Sequence, residues 1–497
     1  MARYQSLINT FTEDELSLLA QLKRLFERIQ CDRELMEAFN KNNVTTEQLK
    51  RLKETGIVLD LSDFPLSSKR QNDVILYVLA VSKDSGQELS DEVKQIAEQY
   101  PLLKLWGKYS ELINKDRKSY IGGKKDKAES LNPKFNEWRK RRIAATKSEL
   151  GFFGTQISHP AFAYELCKGC SVGCWFCSFS ANRLTGVFDY GAGCDSVHSI
   201  IRHNIDIFGK ETACNALPYY GTEPHDNPGY IPFLQDFEKL TGGVLCTSTA
   251  YCNDIDWLRE LMKYYDRRDI KYNWPRLSIL SQKMIDKVHD AFSPMELLHI
   301  ELLIQVKDNV RPKVTGGRIL KEQAGLRSRE DFSEKNNIGF VPQGSIACVS
   351  GFNINLVSKT VTLFSPCYVC NRWPHGFRIF GQASYNDASD YPEAIHRLID
   401  SCMYLSPPKD KIIKFRDDII FRPTEAGFDL ATPNQLHHFK GKSKYGPLGQ
   451  LIANGTFTYT QVLDILQNEH RVNPIVTHAV VQQIFNDGYI DEIYTTD

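Results

Sequence analysis

The chain has 497 residues, of which 42% are hydrophobic and 25% are charged, as in an ordinary soluble globular protein with room for about two to four domains. The formal net charge is zero, so no overall charge favours nucleic acid or an anionic membrane surface as a partner. The N-terminal segment lacks the apolar core of a secretory signal and no apolar run reaches bilayer length, so we expect a cytoplasmic protein with no membrane or nucleic-acid partner. Thirteen cysteines in such a chain indicate metal binding or reactive thiols rather than a disulfide framework.

Residues 1–85 are predicted to form an N-terminal helical domain. Thr12 and Glu15 have the T-x-x-E spacing of a capping box, and leucines follow at the spacing of one helical face. A second helix is expected to begin near Thr45 and to end before Gly56.

Residues 86–150 are polar and charged, and we interpret them as a helical connector. They contain the basic run WRKRRIAATK at 138–147. Basic runs in a neutral chain are usually solvated helix faces, so we prefer that interpretation to a nucleic-acid patch.

Residues 151–385 are predicted to be an α/β domain. Short apolar runs alternate there with helical patterns such as DIDWLRELMKYYDRR. Alternation of this kind is typical of βα units around a parallel sheet, either open or barrel-like.

Residues 386–497 are predicted to form a small helical, winged-helix-like domain. Helices are expected at 448–453, at 460–468 and from Pro474 to about Asn486, the last with Asn473 as its N-cap. YIDEIY at the end has the pattern of a short strand.

The segment CKGCSVGCWFC at 167–177 carries the most specific signal in the chain. Cys170, Cys174 and Cys177 are spaced C-x3-C-x2-C, and three thiolates on one loop can hold three irons of a cubane cluster. A structural zinc site is the alternative, but it requires a second cysteine pair, which does not follow closely. Cys167 lies outside this spacing and is interpreted as a spectator.

This spacing, with the aromatic Phe176 before the last cysteine, resembles the signature of the radical S-adenosylmethionine (SAM) superfamily. The resemblance implies a partial (β/α)6 barrel, a 4Fe-4S cluster on the three cysteines, and SAM bound to the fourth iron. It also implies that the G-T-E-P turn and a serine on a middle strand contact SAM; the residues concerned are Gly221, Thr222, Glu223, Pro224 and Ser278. Thr222 departs from the superfamily pattern, which has glycine there.

Longer stretches resemble the proteusin-type radical SAM peptide epimerases, and the resemblance extends over most of residues 20–380. The stretches that carry it are FERIQCDRELMEAFNKN, NPKFNEWRKRRIAATKSELG, ELCKGCSVGCWFCSFSA, GSIACVSGFNINLVSKTVTLFSPC and NRWPHGF. The resemblance implies conversion of L-residues to D-residues in a ribosomally made precursor peptide, consisting of leader and core. It also implies an electron donor such as flavodoxin or ferredoxin.

Inversion at Cα requires a group that returns a hydrogen atom, and a neutral thiol is suited to this step. The run TVTLFSPCYVC ends a predicted strand at Pro366, and the next residue, Cys367, resembles the donor cysteine of the family. We expect Cys367 to face the barrel mouth, where barrel enzymes keep their chemistry. Cys370 is a candidate redox relay, a second donor or a packed thiol.

Two other functions remain open on the sequence alone. Cys367 and Cys370 have C-x2-C spacing, so they could belong to an auxiliary cluster of a peptide-crosslinking radical SAM enzyme that forms C–S or C–C bonds. The C-terminal module could be a winged-helix regulator, although its helix at 474–486 lacks lysine and arginine for phosphate binding. The same module could instead hold the peptide leader by strand addition.

Overall fold

The structure is a computed structural model that describes residues 5–41, 43–59, 91, 100–126, 129–266, 275–307, 316–319, 347–432, 434–440 and 445–494. The parts of the predicted N-terminal domain and connector at 60–90, 92–99 and 127–128 lie outside these ranges, as does 344–346 of the family-like segments. Within the described residues the protein is a mixed α/β structure, as the sequence predicts at that level. No helix found there is both long enough and apolar enough to cross a membrane.

The helices are α1 (Gln5–Thr10), α2 (Glu13–Cys31), α3 (Arg33–Lys41), α4 (Thr46–Glu54), α5 (Pro101–Asp126), α6 (Pro133–Leu150), α7 (Phe152–Thr155), α8 (Tyr190–Phe208), α9 (Lys210–Ala213), α10 (Tyr230–Thr241), α11 (Ile255–Asp266), α12 (Gln282–Ala291), α13 (Pro294–Leu297), α14 (Tyr391–Cys402), α15 (Tyr445–Asn454), α16 (Tyr459–Asn468) and α17 (Pro474–Asn486). The strands are β1 (Phe162–Glu165), β2 (Cys167–Lys168), β3 (Gly186–Val187), β4 (Ala216–Leu217), β5 (Ser248–Thr249), β6 (Arg276–Ile279), β7 (Glu301–Ile304), β8 (Gly351–Asn355), β9 (Thr360–Pro366), β10 (Phe377–Ser384), β11 (Ile420–Thr424), β12 (Gly427–Ala431) and β13 (Leu436–Lys440). A 3₁₀ turn covers Pro224–Asp226.

The N-terminal helices have the predicted signals. Thr12 and Glu15 form both hydrogen bonds of the capping box of α2, and α4 begins after an equivalent box at Thr45 and ends before Gly56. The leucines of α2 are buried in one apolar cluster. Arg24 on the same helix donates to the backbone carbonyl of His289, so this helical unit is fastened to the end of α12.

Two groups of parallel strands form the centre of the molecule. The first sheet has the order β10-β9-β8-β1-β4, in which β8, β1 and β4 are parallel, β9 is antiparallel to β8, and β10 is antiparallel to β9. The second sheet has the order β5-β6-β7 and is parallel. The strands assigned in the described ranges do not close into a barrel.

An aromatic layer joins α6 and α8 to the first sheet. Phe135 of α6 stacks on Phe352 of β8 at a ring distance of 5.7 Å. Phe162 of β1 meets Phe208 of α8 edge-on at 5.3 Å. All four side chains are buried, so apolar burial fixes both helices against the strands.

The interpretation of the basic run at 138–147 as a solvated face is wrong. Arg139, Arg141 and Arg142 are at most 4% exposed. Arg141 and Arg142 both bind the Glu492 carboxylate, which is itself buried. The counter-charge lies about 350 residues further along the chain, and local spacing could not reveal it.

The C-terminal module has its own core. Strands β11, β12 and β13 form an antiparallel sheet, and α15, α16 and α17 pack with it around a cluster that includes Phe428, Val462 and Ile484. These three helices confirm the predicted ones, and Asn473 caps the last as expected. In YIDEIY only Ile490 makes a β-bridge, so the expected strand is reduced to one residue pair. Helix α14 falls within the predicted C-terminal domain, but its apolar side chains pack in the central core and not in that of the C-terminal module.

Replacing Glu492 by Gln should destabilise the protein by about 3–5 kcal/mol, because two buried guanidinium groups lose their common counter-charge. Chemical denaturation followed by fluorescence measures the change. The control is Asp400→Asn, which breaks the exposed pair with Lys134 and should have little effect. An unchanged denaturation midpoint for the Glu492 variant would contradict the role given to this carboxylate.

Candidate functional site

The three predicted iron ligands lie on one loop that follows β1. The short β2–β3 pair closes the loop at its base, with Cys167 opposite Val187. The Cys170 backbone N–H donates to the Asn182 carbonyl at 2.9 Å, which continues this closure. Cys170, Cys174 and Cys177 are all half-buried, whereas Cys167 is buried within β2. We call residues 169–185 the cysteine loop.

Four other segments hold the cysteine loop in place. The contacts are Ser171 N–H to Asp226 Oδ2 (2.9 Å), Trp175 Nε1–H to the Gln305 carbonyl (2.9 Å), Arg318 Nη1–H to the Cys174 carbonyl (3.0 Å), and His375 Nδ1 beside the Ser178 carbonyl (3.1 Å). Asp226 follows β4 and Gln305 follows β7, so the loop lies across the carboxyl ends of strands from both sheets. Parallel α/β structures place their ligand sites at these ends.

Electrostatics show that the three thiols are neighbours. Burial raises the pKa of Cys174 to about 12, and the charges of Cys170, Glu223 and Cys177 contribute in the same direction. Backbone hydrogen bonds from Gly173 and Val172 partly offset the effect of burial on the pKa of Cys170. Backbone N–H groups directed at a cysteine sulfur are the environment that an iron–sulfur ligand needs.

Among the described residues, no three His, Cys, Asp or Glu side chains are close enough to hold a metal ion. The backbone of the loop leaves room beside the cysteine thiols, because a Cβ on Gly173 would meet no atom within 4 Å. The residue types and the open side of the loop therefore fit a cluster of iron and sulfide.

A buried carboxylate places the G-T-E-P turn beside the cysteine loop. Glu165, the last residue of β1, accepts the Gly221 backbone N–H at 2.7 Å with one oxygen. Its other oxygen accepts the side-chain amides of Asn353 and Asn355 on β8, both at 3.0 Å. Glu165 thus ties the turn to the two central strands, and the sequence analysis missed it.

Glu223 connects the two sheets at their carboxyl ends. Its carboxylate accepts the Ala250 N–H at 2.9 Å, the His225 N–H at 3.3 Å and the Thr249 hydroxyl. Burial raises the pKa of Glu223 to about 7. A carboxylate offers about four acceptor positions, so three protein donors leave one for a ligand cation such as an ammonium group.

The remaining residues predicted to contact SAM are placed as follows. Thr222 is half-buried in the turn, and Pro224 begins the 3₁₀ turn. Ser278 is buried on β6 in register with Leu303. Phe176 is half-buried and meets Trp175 edge-on at 5.7 Å. The cysteine loop and the G-T-E-P turn are therefore brought together, and Ser278 lies in the second sheet.

Cys367 lies where the sequence did not predict it. Strand β9 runs antiparallel to β8, with Phe364 opposite Gly351, so β9 ends where β8 begins. Cys367 is therefore at the end of the sheet opposite to the start of the cysteine loop, and the expectation that it faces the barrel mouth is wrong. Its backbone N–H donates to the Gly376 carbonyl at 3.0 Å, and its side chain is fully buried.

The surroundings of Cys367 keep the thiol neutral. Burial raises its pKa well above the ordinary value, and Glu149 and Cys370 add to this, against the opposing effect of Arg378. The thiol donates to the Tyr368 carbonyl at 3.3 Å. Cys370 is half-buried in a tight turn with Trp373. No group of three metal-binding side chains includes either cysteine in the described part of the chain.

A buried charge network holds the segment after Cys367. Glu149, at the end of α6, accepts the Tyr368 N–H at 2.9 Å and binds Arg378 through both oxygens at 2.5 and 3.0 Å. Arg416 reaches the same carboxylate at 3.3 Å and also pairs with Asp418. The network extends into the C-terminal module, so that module and the Cys367 segment share one anchor.

Comparison with known proteins adds one relative. The chain is 29% identical over 500 residues to the uncharacterized protein y4wI of Sinorhizobium fredii, and the match covers 98% of this chain and 90% of that protein. No family model matches the chain, and no solved structure does. The similarity to y4wI runs along nearly the whole chain and is not confined to the cysteine loop.

Replacing Glu223 by Gln should change how stability depends on pH. Because the folded-state pKa is raised, stabilisation by the protonated carboxyl is complete below about pH 4.5 and is lost as the pH rises through about 7. Gln stays neutral and does not lose this stabilisation as the pH rises. The difference in the free energy of unfolding, variant minus unmodified protein, should therefore rise by up to about 3 kcal/mol between pH 4.5 and 8. Denaturant titrations at both pH values measure this. Glu425→Gln, at an exposed turn position, is the control and should keep the original profile.

Two glycines with the same backbone conformation test how the cysteine loop is held. Gly173 and Gly317 both have φ of +67°, so alanine should cost about 1–2 kcal/mol at either position from backbone strain alone. A Cβ on Gly317 would also lie 2.2 Å from the Ser178 carbonyl oxygen, whereas Gly173 faces open space. Gly317→Ala should therefore lower the thermal unfolding temperature clearly more than Gly173→Ala. Equal shifts would show that the Gly317 contact does not hold the loop.

Proposed function

We propose that the chain is a radical SAM peptide epimerase, which converts L-residues to D-residues in a ribosomally made precursor peptide. The observation that supports this best is the cysteine loop, with its C-x3-C-x2-C spacing, anchored across the carboxyl ends of parallel strands next to the G-T-E-P turn. In this proposal the parallel strands of the two sheets belong to one partial (β/α)6 barrel.

Cys170, Cys174 and Cys177 would hold a 4Fe-4S cluster, and Glu223 has one acceptor position left for the ammonium group of SAM. When bound, cluster and SAM supply a one-electron cleavage that produces a 5′-deoxyadenosyl radical. The protein contributes position and exclusion of water. Glu165 fixes the turn against β1 and β8, and the four anchors fix the cysteine loop above it.

Cys367 would return the hydrogen atom after a residue of the peptide has lost its own from Cα. Only a neutral thiol carries the hydrogen that this step transfers, and burial keeps Cys367 neutral at physiological pH. Glu149 holds the backbone next to it through the Tyr368 N–H. Cys370, half-buried three residues further on, is placed to exchange with solvent.

The partners that follow from this proposal are the precursor peptide and a low-potential electron donor such as flavodoxin or ferredoxin. Helix α17 in the C-terminal module carries no lysine or arginine, which argues against a nucleic-acid partner. The edge strands β11 and β13 of the same module offer unpaired backbone groups for a peptide leader.

The reaction should be tested in heavy water under anaerobic conditions, with the iron-reconstituted protein, SAM, a reductant and the precursor peptide. Each inverted residue should gain one deuterium, because a solvent-exchanged thiol supplies the new Cα hydrogen. Chiral amino-acid analysis and mass spectrometry measure inversion and deuterium together. A product that lacks two hydrogens and contains no D-residue would instead identify a crosslinking enzyme.

Cys367→Ala should stop inversion while 5′-deoxyadenosine still forms, since the variant loses the hydrogen donor and keeps the cysteine loop. Cys31→Ala is a matched control, because Cys31 is another buried thiol and lies at the end of α2 in the N-terminal helical unit. Inversion at the unmodified rate by the Cys367 variant would move the donor role to Cys370.

A further inference from the structure

Arg318 binds the cysteine loop at three of its carbonyl groups. Its Nη1–H donates to the Cys174 carbonyl at 3.0 Å, and its backbone N–H donates to the Cys177 carbonyl at 2.9 Å. Its Nη2–H donates to the Ala181 carbonyl. Cys174 and Cys177 are two of the three proposed iron ligands, so a single arginine fixes the backbone that carries both of them.

The backbone next to Arg318 is seated directly on the same loop. The Gly317 N–H donates to the Pro374 carbonyl at 2.8 Å, and a Cβ on Gly317 would lie 2.2 Å from the Ser178 carbonyl oxygen. The following residue, Ile319, is buried. Backbone contacts therefore set where the Arg318 side chain begins, and the guanidinium group is not free to leave the loop.

The guanidinium group is bound to carbonyl groups and not to a carboxylate. Arg378 and Arg416, by contrast, both form ion pairs with Glu149. Within the described ranges, no acidic side chain forms an ion pair with Arg318, which is half-buried. Carbonyl dipoles solvate a cation but do not neutralise it, so the position suits an anion bound at the loop.

A 4Fe-4S cluster on this loop would be such an anion. Three thiolates outweigh the positive charge of the cluster core, and reduction by one electron adds a further negative charge. A fixed cation nearby stabilises the reduced form more than the oxidised form, because the attraction grows with the charge of the anion. Nearby charge is one of the factors that set the reduction potential of such clusters.

We propose that Arg318 is a positioning residue for the cluster, with two separable contributions. Its two-pronged side chain fixes the loop at Cys174 and Ala181, and its charge makes the bound cluster easier to reduce. The inference rests on the function proposed above, since it requires a cluster on the three cysteines. It deepens that function by naming the residue that helps the cluster accept an electron from its protein donor.

The charge is tested by redox titration of the anaerobically reconstituted protein, followed by electron paramagnetic resonance of the reduced cluster. In Arg318→Gln the ratio of reduced to oxidised cluster at a fixed applied potential should fall at least about threefold, because the cation is lost. Arg318→Lys keeps the cation and should match the unmodified protein. An unchanged ratio in Arg318→Gln, or an equal fall in Arg318→Lys, overturns the electrostatic role.

Arg183→Gln is the matched control for the charge. It removes the same charge from an exposed position on the same loop. Solvent and salt screen an exposed charge, so the ratio of reduced to oxidised cluster should change little. A fall as large as that in Arg318→Gln would make the effect one of overall loop charge and would overturn the specific role of Arg318.

The two-pronged contact is tested by the release of iron to a chelator. Lysine is a point donor and cannot reproduce the planar fork, so Arg318→Lys and Arg318→Gln should both release iron faster than the unmodified protein and Arg183→Gln. The thermal unfolding temperature of the iron-free variants should stay close to that of the unmodified iron-free protein, which shows that each variant folds. Release from both Arg318 variants at the unmodified rate overturns the positioning role.

The outcomes separate this inference from the proposed function. If the unmodified protein takes up no iron and sulfide, the proposed function fails and the role of Arg318 fails with it. If the unmodified protein holds a cluster, and the Arg318 variants match it in both redox titration and iron release, the role of Arg318 alone is overturned.

Discussion

A carboxylate can be buried only where hydrogen-bond donors or cationic side chains replace the water molecules that would otherwise bind it. The architecture depends on four buried glutamates whose carboxylates are bound in this way. Glu165 joins β1, β8 and the G-T-E-P turn, and Glu223 joins the same turn to the end of β5. Glu149 connects α6 to the segment after Cys367, and Glu492, near the C-terminus, forms an ion pair with Arg141 of α6. Each carboxylate lies at a junction between segments that are distant in sequence. The contacts of these four carboxylates therefore decide how the sheets, helices and C-terminal module meet.

The same burial prepares the chemistry proposed for the site. Desolvation keeps the Cys367 thiol in its neutral form, which is the form that carries a transferable hydrogen atom. It also holds Glu223 near the middle of its titration at neutral pH, so a bound cation would favour its charged form. An apolar interior stabilises the fold and would also serve the proposed radical reaction, because water would quench reactive intermediates.

Local chemistry made part of the site predictable. The cysteine spacing and the G-T-E-P turn were recognised as separate motifs, and the structure brings them together through Glu165 and Asp226. Neither of these two residues was predicted, because a glutamate at a strand end and an aspartate in a turn are common and carry no signal by themselves. The arginines of α6 were misread for the same reason, since their partner Glu492 is close only in three dimensions.

What the sequence determined by itself is local: the helix caps at Thr12, Thr45 and Asn473, the alternation of strands and helices, and three cysteines on one loop. These features depend on residues a few positions apart, where backbone geometry leaves few alternatives. Only the tertiary structure decided the direction of β9, and with it the end of the sheet at which Cys367 lies. Strand direction and long-range ion pairs depend on which segments pack together, and that is settled by burial over the whole chain rather than by any short pattern.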